Sequence, residues 1–150
     1  MERIQQTELL DAVHIEPRAL EENLRDLERL NRLFGGTALL VRTLRPLFAD
    51  CPAGAPIHIL DAGTGSGDTP RALLRWARRR GLDLRITACD LHPQIAAYAR
   101  RCCAGEPAIQ VLQADLTRLP FAPAAFDFAV CSLLLHHLSE AQVCTGFTEL

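Results

Sequence analysis

A short hydrophobic run leads directly into a glycine-rich turn and a helix start over residues 57–70. The run over 57–60 has the length and composition of a buried strand, and Gly63, Gly65 and Gly67 follow it at alternate positions. Glycines let the backbone turn sharply and come close to a ligand, and the first amides of a helix attract anionic groups. The segment predicts a strand, turn and helix that bind a ligand, although a purely structural turn is the alternative.

The rest of the chain beyond this turn alternates between short apolar runs and helical segments. This alternation is typical of strand–helix–strand units around a parallel sheet. We predict strands over 57–61, 85–90, 109–115 and 126–132. We predict helices over 70–80 and 94–103, and a last helix from near Ser139 to Leu150, with Thr69 as the cap of the first. The expected fold is α/β, a doubly wound, Rossmann-like and mostly parallel sheet of about four strands.

An N-terminal helical segment precedes this sheet. Over 17–34, apolar residues recur at steps of three and four positions, which predicts one apolar helical face; they are Leu20, Leu24, Leu27, Leu30 and Phe34. Thr37 is the predicted cap of a second helix over 38–44, which Pro46 should bend or end. We therefore expect a helical cap segment over 1–50 and an α/β domain over 51–150.

Composition limits the partners and the location of the chain. With 49% hydrophobic and 23% charged residues, it has the make-up of a globular protein, and its formal charge of -2 favours no nucleic-acid partner. The six cysteines and five histidines lack the spacing of a disulfide framework or a metal site, so we expect free thiols, no metal and a cytoplasmic location. No signal peptide and no stretch of about 20 apolar residues occurs, so we expect no membrane partner.

Aspartates end three consecutive predicted strands, at positions 61, 90 and 115. The carboxyl ends of strands in an open α/β sheet form the ligand-binding edge, so these side chains should converge there. Asp68 stands where a dinucleotide fingerprint has its third Gly or Ala. Asp61 and Asp68 would repel a pyrophosphate and attract an ammonium or sulfonium group. This favours a cationic nucleoside over a nicotinamide dinucleotide, with a favourable charge at the helix start as the other interpretation of Asp68.

The chain resembles the class I S-adenosylmethionine-dependent methyltransferases from about Asn23 onwards. The most specific parts are 60–68, 89–91, and 119–121 leading into 126–132. The resemblance implies S-adenosylmethionine as cofactor and an α/β domain over 51–150 that corresponds to the N-terminal half of the family's domain. It implies cofactor contacts from Asp61, Ala62, Gly63, Thr64, Gly65, Gly67, Asp90, Leu91, Asp115, Leu116 and Cys131.

Each implied contact has a role. The turn over 61–67 would hold the methionine portion, Asp90 the ribose, and the backbone of Cys131 would lie near the methionine end. Leu91 and Leu116 would sandwich the adenine, and Asp115 would accept from its exocyclic amine. The catalytic residues stay unknown. His136 and His137 are weak candidates for a base that an oxygen or nitrogen acceptor needs, and a structural role for them is the alternative.

The predicted sheet is smaller than that of the family, which has seven strands. Four strands would leave the fourth as an open edge, which folded proteins usually cover. Our first hypothesis is a methyltransferase that acts on a small organic acceptor. The second is a non-catalytic or partner-completed binding and assembly module, with a homo-oligomer covering the open edge. A nicotinamide-dependent oxidoreductase comes third.

Overall fold

Two helices precede an alternating series of strands and helices in the computed structural model, which describes residues 16–48, 51, 54–132, 134 and 137–149. The elements are α1 Pro17–Leu33, α2 Gly36–Leu47, β1 Ile57–Ala62, α3 Asp68–Arg78, β2 Leu84–Asp90, α4 Pro93–Cys103, β3 Ile109–Gln113, β4 Phe128–Cys131 and α5 Glu140–Glu149. No helix in these ranges is both long enough and apolar enough to cross a membrane.

The four strands form one sheet in the order β3-β2-β1-β4, and every neighbouring pair is parallel. This confirms the predicted α/β fold. Strand β1 lies inside the sheet and is apolar on both faces: Ile57 and Ile59 join one buried cluster, whereas Leu60 and Ala62 join another. Such two-sided burial is typical of parallel sheets, because helices cover both faces.

The strand register brings the carboxyl ends of the strands to one edge of the sheet. Ala62, the last residue of β1, pairs with Cys89 of β2 and with Cys131 of β4. Asp90, the last residue of β2, pairs with Gln113 of β3. The glycine turn follows β1 at this edge and leads into α3. The structure therefore contains the sheet edge at which the sequence predicts a ligand-binding site.

The N-terminal helices pack against different helices of the α/β unit. Leu20 and Leu24 of α1 are buried with Ile95 and Tyr98 of α4. Helix α2 joins the main core through Leu44, together with Trp76 of α3. These apolar contacts attach both N-terminal helices to the α/β unit.

Several predicted boundaries are wrong, and the helix starts share one cause. Thr37 and Thr69 are not caps, because α2 and α3 begin earlier, at Gly36 and Asp68. Their N-cap positions are Gly35 and Gly67, with φ of 73° and 74° and no side-chain hydrogen bond. A left-handed glycine lets the chain enter a helix directly from a tight turn. The two threonines predict caps from the sequence, but the geometry of the preceding glycine decides where each helix begins.

The outer strands are shorter than predicted. Strand β3 ends at Gln113 rather than at Asp115, and β4 covers Phe128–Cys131 rather than 126–132. Both are edge strands of this sheet, so their length is set by the one neighbour with which they pair. The predicted start of the last helix is confirmed: Ser139 and Gln142 bond each other's backbone N–H groups at the start of α5, in a capping box.

Candidate functional site

The glycine turn is tied to β2 by backbone hydrogen bonds. The amides of Gly63 and Thr64 both donate to the carbonyl of Cys89 at 2.9 Å, and the amide of Gly67 donates to the carbonyl of Thr64 at 2.9 Å. Gly63, Gly65 and Gly67 have φ of 73°, 55° and 74°, a region that other residues rarely adopt. These positions therefore require glycine for the fold of the turn itself.

Asp61 lies beneath the turn with 2% of its surface exposed. Its Oδ2 atom and the Oγ1 atom of Thr64 are buried, and neither has a hydrogen-bond partner among the residues described. Burial raises the pKa of Asp61 to about 7; the neighbouring Thr64 opposes this rise, and the charges of Asp68 and Asp90 add to it. A buried acceptor without a partner is costly, so this pair of oxygen atoms is suited to a donor that comes from outside the chain.

Asp90 is held in a fixed orientation at the end of β2. Its Oδ2 accepts from the amide of Gly65 and its Oδ1 accepts from the amide of His92, both at 3.1 Å. Burial raises the pKa of Asp90, while these two backbone hydrogen bonds lower it. A carboxylate oxygen can accept more than one hydrogen bond. The oriented carboxylate can therefore still accept hydroxyl groups.

Asp68, the first residue of α3, is engaged by other side chains. Its Oδ2 accepts from Nδ2 of Asn31 at 2.6 Å, and its Oδ1 accepts from Oγ of Ser66 at 3.3 Å. Arg71, the first basic residue after the turn, donates to the carbonyl of Gly67 at 2.9 Å and pairs with Glu28 at 3.1 Å. The roles of Asn31 and Glu28 were not predicted from the sequence. No local pattern could have revealed them, because they reach the turn by tertiary packing.

Asp115 follows β3 at the same edge of the sheet but makes local contacts. Its side chain is exposed, and its Oδ1 accepts from the amide and the hydroxyl of Thr117 at 2.8 and 2.7 Å. Leu91 is 61% exposed, whereas Leu116 is 7% exposed and packs with the core residue Leu119. The structure therefore places an open apolar side chain after β2 and a mostly buried one after β3.

The end of β4 lies beside the turn as well. Cys131 pairs with Ala62 and is partly buried; burial, with a contribution from the charge of Asp61, raises the pKa of its thiol. The charge of His137 contributes to lowering the pKa of Asp90. His136 lies outside the described residues. Within the described ranges, no group of three or more metal-binding side chains could hold an ion.

Comparisons with known proteins support the same interpretation of the fold. Residues 59–150 match the family model of a methyltransferase domain. Malonyl-[acyl-carrier protein] O-methyltransferase of Enterobacter lignolyticus is 34% identical over 101 residues, which cover 67% of this chain and 37% of that protein. Demethylmenaquinone methyltransferase of Deinococcus radiodurans is 29% identical over 97 residues, which cover 64% of this chain and 39% of that protein. The chain thus spans less than two fifths of each.

A solved structure has a similar fold over most of this chain. A protein of Methanococcus maripaludis, assigned as an S-adenosyl-L-methionine-dependent methyltransferase, aligns with a TM-score of 0.66 over 85% of this chain and 56% of its own. The two sequences are 20% identical, so this likeness concerns the fold.

Proposed function

Because the chain belongs to the class I S-adenosylmethionine-dependent methyltransferase family, we propose that it binds S-adenosylmethionine at the glycine turn and takes part in methyl transfer to a small organic acceptor. The observation that carries this proposal is the pair of carboxylates at the turn: Asp61, buried with an unpartnered oxygen, and Asp90, oriented by two amides. The two curated relatives are named for different acceptors, so the proposal stops at the class of acceptor.

The charges at the turn fit the cofactor. S-adenosylmethionine carries an ammonium and a sulfonium group, and a buried carboxylate is stabilised in its charged form by a nearby cation. Asp61 and Thr64 supply buried oxygen atoms for such a donor. Arg71 points its guanidinium at Gly67 and Glu28. A pyrophosphate would lie against carboxylates here, which disfavours a nicotinamide dinucleotide.

In this proposal, residues at the ends of three strands bind different parts of the cofactor. The turn after β1 would receive the methionine portion, Asp90 the ribose hydroxyls and the exposed Leu91 one face of the adenine. Asp115 would accept from the adenine amine, and the other adenine contact would come from Leu116. The full proposed set is Asp61, Ala62, Gly63, Thr64, Gly65, Gly67, Asp90, Leu91, Asp115, Leu116 and Cys131.

The chain contributes to the reaction by orientation. When bound, S-adenosylmethionine supplies an electrophilic methyl group on its sulfonium. The residues of the turn would fix the donor, and fixed, in-line reactants account for up to about 7–11 kcal/mol of a barrier. His137, which lies between β4 and α5, is our candidate base for an oxygen or nitrogen acceptor. We further propose that residues 1–50 form a cap over the cofactor-binding unit of 51–150, and that the protein works in the cytoplasm.

Asp90→Ala tests this function. The variant should bind S-adenosylmethionine about 10- to 100-fold more weakly in calorimetric titration, because hydrogen bonds to a charged acceptor contribute about 1.5–3 kcal/mol. Asp83→Ala is the matched control, since Asp83 is an exposed aspartate just before β2 that pairs with Arg85 at 3.1 Å. Equal affinity of the Asp90 variant and the parent chain would remove Asp90 from the site, and binding of NAD instead would refute the proposal.

A further inference from the structure

Helix α1 contacts the first turn of α3, directly after the glycine turn, at two points. Asn31 donates from Nδ2 to Oδ2 of Asp68 at 2.6 Å. Glu28, one helical turn earlier, pairs with Arg71 at 3.1 Å, and Arg71 donates from Nε to the carbonyl of Gly67 at 2.9 Å. Both contacts end at the junction between the turn and α3. A helix outside the sheet therefore holds the segment that is proposed to bind the cofactor.

The contact of Asn31 is built into the local geometry. The helix-to-helix turn after α1 passes so close to Asn31 that a Cβ at position 36 would overlap Oδ1 of Asn31, so a larger residue there would force the Asn31 amide to move. Nδ2 of Asn31 also lies 3.3 Å from Oγ1 of Thr37. The amide is thus fixed by the start of α2 before it reaches Asp68.

The effect of this contact continues into the turn itself. The second oxygen of Asp68 accepts from Oγ of Ser66 at 3.3 Å, and Ser66 is buried within the turn. Asp68 is therefore held from outside by α1 and in turn holds a residue between the glycines. Rotation of the Asp68 side chain would remove this hydrogen bond from Ser66, the residue that follows the Gly65 amide that orients Asp90.

We propose that Asn31 and Glu28 are positioning residues that keep the glycine turn in its cofactor-binding conformation, acting through Asp68 and Gly67. This proposal rests on the proposed function. Neither residue needs to touch the cofactor. A turn that is already ordered loses less conformational freedom when a ligand binds. Binding at the turn and docking of α1 are then coupled, and each strengthens the other by the same factor.

The test compares two positions on the same helix. Asn31→Ala should raise the Kd for S-adenosylmethionine about five- to tenfold in calorimetric titration, the size expected when one hydrogen bond that orders a site is lost. Glu21→Gln is the control: Glu21 ties α1 to Arg101 of α4 at 2.7 Å, away from the turn. Both variants should lower the Tm by similar amounts, but the control should keep its Kd within twofold of the parent chain.

Two further measurements separate positioning from general loosening. If Asn31 acts through Asp68, the double variant Asn31→Ala with Asp68→Ala should bind no more weakly than Asp68→Ala alone. Amide exchange of Gly65 and Gly67 should also be faster in the ligand-free Asn31→Ala protein than in the control. Glu28→Gln, a milder change, should give the same two effects at smaller size if Asn31→Ala does not fold.

Some results would overturn the proposal. An unchanged Kd with unchanged amide exchange in both α1 variants would do so, as would an equal rise of Kd in Glu21→Gln. If the parent chain binds no S-adenosylmethionine but amide exchange at the turn is still faster in Asn31→Ala than in the parent chain, the proposed function is wrong and the hold of α1 on the turn remains.

Discussion

Asp61 places a carboxyl group at the buried end of β1, beneath the glycine turn. Its pKa, raised by burial to about 7, divides the folded protein between neutral and ionised forms at neutral pH. Below this pKa the carboxyl is protonated and attracts a cation weakly. Above it, the carboxylate is charged, and its Oδ2 atom has no hydrogen-bond partner among the described residues. A cationic ligand therefore favours release of this proton, by the linkage of proton and ligand equilibria.

We predict that the affinity of the parent chain for S-adenosylmethionine rises with pH. Well below the pKa of Asp61 the gain should approach about tenfold per pH unit, because only the ionised fraction attracts the cation, and it should level off above about pH 8. Calorimetry between pH 5.5 and pH 8 (roughly the span of this titration) measures it. In Asp61→Asn the affinity should be lower and nearly flat with pH. If the affinity of the parent chain for S-adenosylmethionine does not change with pH, Asp61 does not face the bound cation.

Helix α1 has two halves with different surroundings, although its apolar residues form one periodic stripe. Leu24 in the first half is 1% exposed and packs on α4, whereas Leu27 in the second half is 42% exposed. Periodicity predicts which side of a helix is apolar, but it does not say how far the partner helix extends. Helix α4 has 11 residues against 17 in α1.

Substitutions along this stripe should therefore differ in cost. Leu24→Ala should lower the free energy of unfolding by about 2–4 kcal/mol, because it removes a buried side chain and leaves a cavity. Leu27→Ala should lower it by less than about 1 kcal/mol, as is usual for partly exposed sites. Urea titration followed by circular dichroism measures both. Equal losses would mean that Leu27 is covered in solution by something that the described residues do not include.

The sequence predicted the elements well and their boundaries less well. Gly67 was identified as part of a ligand-binding turn but not as the N-cap of α3, because its role depends on a φ that the sequence does not specify. Asp90 could be placed at the ligand-binding edge because an alternating strand and helix pattern fixes where β2 ends. The contact of Asn31 with Asp68, 37 positions apart, could not be predicted, since it arises from the packing of α1 beside the turn.

The sheet as a whole has two outer strands, β3 and β4. Strand β4 pairs with β1 on one side, and no second strand pairs with it within the described ranges. Exposed strand edges readily pair with another chain. A partner-completed module needs a second chain to cover this edge. A self-sufficient methyltransferase does not.

We predict that the 150-residue chain self-associates through β4 as its concentration rises. Sedimentation velocity should show dimers or larger species, and Ala129→Lys, a charge on the exposed part of this edge, should shift them to monomer, as edge lysines do in natural sheets. Ala141→Lys, on the exposed side of α5, is the control and should change little. A parent chain that stays monomeric throughout would argue against a second copy at the edge.

The strand order also determines when β1 can complete its pairing during synthesis on the ribosome. The carbonyl of His58 in β1 accepts a hydrogen bond from the amide of Asp127, which lies just before β4 and 69 positions later in the chain. Translation adds about 5–20 residues per second, so β1 is without its neighbour β4 for roughly 3–14 s. During that interval Ile59 and Leu60, fully covered in the finished fold, are open to chaperones and to neighbouring nascent chains.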